Sequence, residues 1–266
     1  MYLNRAELKS RARQAMRGSA VSPYIMALVY SVIAYVMGLL SARLLNVDVV
    51  SVVKHLGADV VMENPEVFVR YYIGRAPGTF AYFIELLLRI MGMLLYAGQV
   101  VFILNMVRGL QNSLWNLMDG FQSFLRIIGL RILMAIFVFL WSLLFVIPGI
   151  VAAYRYRLAL YLLLDHPEMG VFTAWNHSKR MMQGHKSQLF LVDLSFLLWM
   201  VAAYLATIMA NYLLLTAGLP QMAAYLLSEV VFTAFYVYLT PYMELTVVGF
   251  YHMICPAELL PGSQPR

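Results

Sequence analysis

Five charged residues stand inside apolar stretches of this chain, and their types suit the holding of an anion. Arg155 and Arg157 lie within IVAAYRYRLALYLLL, residues 150–164. Glu85 and Arg89 are four apart in another stretch, and Glu229 comes early in a third. An ionisable side chain at membrane depth is costly, so each calls for a buried partner, a wet cavity or a ligand. With about 1.5 Å per residue, Glu85 and Glu229 sit a few residues in from the outer face. Arg89 is a turn deeper, and the two arginines of the fourth stretch are about 9–12 Å in. The five are therefore expected to meet in the outer half of the membrane, three positive against two negative. One reading is internal pairing, Glu85 with Arg89 at i,i+4 and Glu229 with an arginine. A second is a polar cavity with surplus positive charge, fitted to a phosphate or carboxylate. A third puts these residues at the membrane surface. Arg155, Arg157, Glu85, Arg89 and Glu229 are the ligand-binding candidates.

Other chemistry is thinly represented. Asp193 and Glu244 lie nearer the inner face, with Lys186, Arg108 or Arg131 as partners. They read as a lock between loop and bundle, with a proton relay as the weaker alternative. His166 and Glu168 are two apart and His177 and His185 eight apart. No HExxH, GxSxG or Walker lysine loop is present. Ser178 beside Lys179 reads as a loop serine, and the 18 methionines as core filler or lipid contact. A non-enzymatic protein with no metal and no cofactor is expected.

The elements that position these residues are membrane spans. Hydrophobic residues make up 62% of the 266 positions and charged ones 12%, far from the half and the quarter usual in soluble domains. Spans are expected at 24–45, 79–107, 124–147, 150–164, 189–215 and 223–250; against the roughly 20 apolar residues a crossing needs the second, fifth and sixth are long, which implies tilt or projection, and the fourth is short. The third and fourth are joined by a reversal at Ile147-Pro148-Gly149. Residues 4–17 form an amphipathic helix, capped by Asn4 with Glu7 and carrying Arg5, Lys9 and Arg13 as a basic stripe toward lipid phosphates. The 24–45 stretch is longer than a signal-peptide core, and Ser41–Arg43 is a poor cleavage site, so a retained first helix is expected. The single Cys255 allows no internal disulfide.

Twelve basic residues fall on the N-terminal side of the membrane and four, Arg43, Lys54, Arg70 and Arg75, on the other. The bias sets both termini in the cytoplasm. Two loops have room for structure. In the outer one, 46–78, Asn64 and Pro65 open a short helix that Gly74 ends. Phe68, Val69, Tyr71 and Tyr72 rest on the membrane. In the inner one, 165–187, Thr173 caps an interfacial helix ending at Gly184, with Trp175, Ser178 and Met182 on one face.

An ordered set of short motifs runs through the chain: Asp119-Gly120-Phe121, Ile147-Pro148-Gly149 with Tyr154 and Tyr156, and Leu164-Asp165. Ala174, Ser178, Met182, Gly184 and Lys186 follow, then Leu189-Phe190, Asp193-Leu194-Ser195-Phe196 and Trp199. Pro241-Tyr242, Thr246 and Phe250-Tyr251 close it. This set resembles the bacterial integral membrane family known as domain of unknown function 975, whose opening RAELKSRAR with Gly18 is also similar. The AAYLATIMANYLLLTAG stretch after Trp199 replaces the glycine-rich segment of that family. The resemblance implies about six helices in a bacterial plasma membrane and distant kinship with the membrane segment of some glycerophosphodiester phosphodiesterases. It implies no activity.

The expectation is one all-α polytopic domain over 1–266, with the amphipathic helix in 1–20. It binds or organises an anionic, lipid-like ligand or a partner membrane protein, or else serves as a transporter or permease subunit. The partners implied are membrane lipids and another membrane protein or further copies of the chain, and not nucleic acid.

Overall fold

The computed structural model describes residues 5–17, 21–45, 66 and 77–256. The cap at Asn4, the outer-loop helix from Asn64 to Gly74 and the residues Phe68, Val69, Tyr71 and Tyr72 lie outside the described residues. All described secondary structure is helical: α1 Arg5–Arg17, α2 Pro23–Leu45, α3 Thr79–Val107, α4 Asn116–Gln122, α5 Phe124–Leu144, α6 Val146–Tyr156, α7 Ala159–Asp165, α8 Val171–Met181, α9 Lys186–Thr216 and α10 Gln221–Ile254. Six segments are long and apolar enough to cross a membrane: α2, α3, α5, α6 with α7, α9, and α10. Without water to satisfy them, backbone groups in lipid must bond within the helix, which selects this architecture.

The chain divides into two compact units, Met1–Ser31 with Leu94–Arg266, and Val32–Met93. Within the smaller, the Met37 side chain packs 3.6 Å from where a Cβ on Gly92 would lie. Within the larger, α9 and α10 form an antiparallel hairpin. Phe196 meets Tyr242 edge-on at 5.3 Å, and Asn211 donates to Ser228 at 3.2 Å. Gly218 at φ +86° turns the chain between them, letting the Leu219 N–H bond the Leu214 carbonyl.

The reversal between the third and fourth spans falls one residue after Leu144, at extended Phe145, not at the expected Ile147-Pro148-Gly149. Pro148 instead sits in the first turn of α6, where its missing N–H costs nothing. Gly149 lets α6 close on α5, since a Cβ there would overlap Ser142. The fourth span is also not one helix. It breaks after Tyr156, where the Arg157 N–H reaches back to the Tyr154 carbonyl at 3.4 Å, and resumes at Ala159.

The loop helix α8 opens at Gly170, whose extended backbone suits a cap position, and Thr173 lies inside it. It does more than lie beneath the bundle. Trp175 packs on Phe137 at 4.8 Å and on Tyr156 at 5.4 Å, both partway along their spans. Helix α1 is docked as well: Leu8 and Ala12 are buried, and Leu8 packs 3.5 Å from where a Cβ on Gly249 of α10 would lie. Its Lys9 turns inward to Ser195 at 2.8 Å rather than out to lipid phosphates.

Candidate functional site

Four spans bring polar side chains to one depth. Tyr96 precedes the end of α3 by 11 residues, Arg157 precedes the end of α7 by 8, Asp193 follows the start of α9 by 7, and Glu244 precedes the end of α10 by 10. In a six-span path these four ends share a side, the side of α1, α4 and α8. At 1.5 Å per residue the cluster lies about 10–17 Å in from it.

Two hydrogen-bonded groups make up the cluster. Arg157 donates to Asp193 at 2.6 Å, and the Tyr154 hydroxyl donates to the same oxygen at 2.8 Å. Beside them the carboxylate of Glu244 receives one phenol on each oxygen, Tyr96 and Tyr161, both at 2.9 Å. These bonds offset the cost of burying a carboxylate and two tyrosine hydroxyls in an apolar bundle. A cavity of about 310 Å³ opens between them, lined by Tyr96, Arg131, Met134, Tyr154, Arg157 and Tyr161 among others. Arg131 stands on α5 with its guanidinium 5.8 Å from the Tyr96 ring centroid. It forms none of the ion pairs found among the described residues, and its Nε is buried without a hydrogen-bond partner.

Among the five sequence candidates only Arg157 lines the cavity. Arg155 is two positions away, about 200° around a helix, and faces α8. There its carbonyl accepts from Ser178 at 3.1 Å. Desolvation, together with the charges of Arg155 and Arg180, pulls the Lys179 ammonium below the usual lysine range. Glu85 and Arg89 belong to the smaller unit and pair with each other at 2.7 Å. Glu229 is half-buried on α10, 15 residues or about 22 Å from Glu244, and joins none of the ion pairs among the described residues. The fourth span begins at Val146 rather than Ile150, so Arg157 lies about 16 Å from that end and nearer the other.

Asp193 and Glu244 also take partners other than those expected. Arg108 pairs instead with buried Asp165, whose other oxygen accepts from Tyr251 at 2.7 Å. The tyrosines were the unread signal. A phenol in an apolar helix needs a partner for its hydroxyl, so Tyr96, Tyr154 and Tyr161 point to buried acceptors.

A helical bundle with six apolar spans defines an integral membrane protein of unassigned activity. Residues 143–258 match the model of the family described as protein of unknown function DUF975, the family to which the motifs pointed. That match shows no kinship with glycerophosphodiester phosphodiesterases. No curated protein and no solved structure matches the chain.

Proposed function

We propose that the protein is non-enzymatic and holds the anionic group of an amphipathic, lipid-like ligand between Arg131 and Arg157. The observation that carries this reading is the buried, unpartnered Nε of Arg131 in a cavity wall that already holds a second guanidinium. A buried guanidinium N–H without an acceptor is costly even on a half-buried side chain, and a phosphate or carboxylate entering the cavity would complete it. The volume suits a headgroup. We read the side of α1, α4 and α8 as cytoplasmic, in a bacterial plasma membrane, on the strength of the basic-residue bias.

Native mass spectrometry of protein released from nanodiscs tests this. Wild type is expected to retain an anionic adduct that Arg131→Gln and Arg157→Gln lose and Arg131→Lys keeps in part. An equal number of anionic adducts on wild type and on both glutamine variants overturns the reading.

One observation favours transport as the second reading. The fourth span breaks beside the cavity, at Arg157, and interrupted helices inside membranes line substrate sites in many carriers. Met134→Cys in a Cys255→Ser background, exposed to a membrane-impermeant maleimide from each face, discriminates the two. A carrier shows access from both faces, and access from a single face under all conditions removes this reading.

A further inference from the structure

A second cavity, of about 580 Å³, lies where α1 docks on the bundle. Its wall includes Lys9, Arg13, Phe196, Trp199, Tyr238 and Tyr242, and among the described residues no carboxylate lines it. Lys9 lies 4.4 Å from the Phe196 ring centroid and Arg13 5.8 Å from that of Tyr242. Arg13 is exposed, bonds the Lys9 carbonyl at 3.5 Å, and joins none of the ion pairs found among the described residues. The aromatic part of the wall divides by depth. Phe196 is buried, while Trp199 and Tyr238 keep 57% and 62% of their surface open. Two cations beside open, amphipathic rings, level with Tyr24 in the first turn of α2 and 10–16 residues in from the ends of α9 and α10, form a site with a charged half and an apolar half.

We infer that this cavity binds an anionic phospholipid of the adjoining leaflet. Arg13 holds its phosphate, with the Lys9 ammonium, bonded to Ser195, adding positive charge behind it, and Trp199 and Tyr238 lie along its glycerol and upper acyl chain. A free phosphate would use the cations and leave the exposed rings without a role, so the apolar half favours the lipid. The site is separate from the Arg131–Arg157 cavity and does not depend on the function proposed for it.

The test measures quenching of Trp199 in the full-length protein in mixed micelles. The Trp199 component is the emission lost in Trp199→Phe. Brominated phosphatidylglycerol is expected to half-quench it at a mole fraction about fivefold lower than brominated phosphatidylcholine, the preference one basic residue gives at an anionic lipid surface. Arg13→Gln should abolish the preference and Arg13→Lys retain it, while millimolar inorganic phosphate leaves it unchanged. Equal quenching by the two lipids in wild type overturns the inference without reliance on any variant. Displacement by inorganic phosphate, or a preference that survives both Arg13→Gln and Lys9→Gln, overturns it too.

Discussion

Arg157 owes its place in the membrane to Asp193, and the pair should behave as a unit. Either partner alone leaves an uncompensated charge. Arg157 keeps 37% of its side chain exposed, so the cost stays below the roughly 3–5 kcal/mol of a fully buried pair. A double-mutant cycle of Arg157→Gln and Asp193→Asn, read by thermal unfolding in detergent, is expected to give a coupling of about 1–3 kcal/mol. A coupling near zero would mean that water in the cavity solvates each ion separately. Cys255 offers a second check. Burial pushes its thiol up from the ordinary range, although Tyr251 bonds it. The thiolate is the reactive form, so alkylation of the folded protein should be slow at neutral pH and climb as pH rises. Unfolding should remove the lag. Arg157 was legible in the sequence as a buried charge, since charge is a property of one residue. Its neighbours were not, because Tyr96, Tyr154 and Tyr161 are ordinary in an apolar helix until their hydroxyls are seen to share acceptors.

At the scale of elements, small residues decide which helices touch. A Cβ on Gly98 of α3 would overlap the Leu117 carbonyl of α4, and a Cβ on Gly120 of α4 would overlap the Leu94 carbonyl. The two backbones meet through both glycines, as small residues allow between membrane helices. Gly98→Ala and Gly120→Ala should each destabilise by about 2–3 kcal/mol, the scale of an overpacked contact. Gly38→Ala, with nothing within 4 Å, should be neutral or stabilising by about 0.5–1 kcal/mol through helix propensity. Docking of α1 makes a further prediction. Leu8→Ala removes its buried anchor, so limited trypsin digestion should cut at Lys9, Arg11 and Arg13 sooner than in wild type. Equal cleavage rates would mean that α1 is not held by Leu8. Spans were readable from composition because lipid imposes length and apolarity. Their ends were not: Phe145 and Gly170 act through backbone shape, which other residue types at those positions also adopt. The inward turn of Lys9 was hidden for a related reason, since an amphipathic stripe looks the same whether it faces lipid phosphates or a neighbouring helix.

For the whole molecule, a path in which all six candidate spans cross puts the α3–α4 and α8–α9 connections on one side and the α9–α10 connection on the other. Single cysteines at Ser113, Gln183 and Ala217, all exposed, test this in a Cys255→Ser background. An impermeant thiol reagent applied to right-side-out vesicles should label Ala217→Cys alone. Labelling of Ser113→Cys and Gln183→Cys in place of Ala217→Cys would reverse the proposed orientation, and labelling of either together with Ala217→Cys would change the number of crossings. The number and order of spans were legible from hydropathy alone. The meeting of charges was not, because depth along each helix depends on where it starts, and a shift of four residues at Val146 moves Arg157 by about 6 Å.

The single residue between α5 and α6 bears on how the protein is made. The third span is the most apolar of the six and the fourth, with its two arginines, the least. Phe145 is too short a connection for the fourth to wait outside while the third settles. Insertion therefore has to proceed as a helical hairpin, in which the favourable partition of α5 carries α6 and α7 into the bilayer with it. The arginines enter the membrane beside a partner helix and need not be translocated on their own.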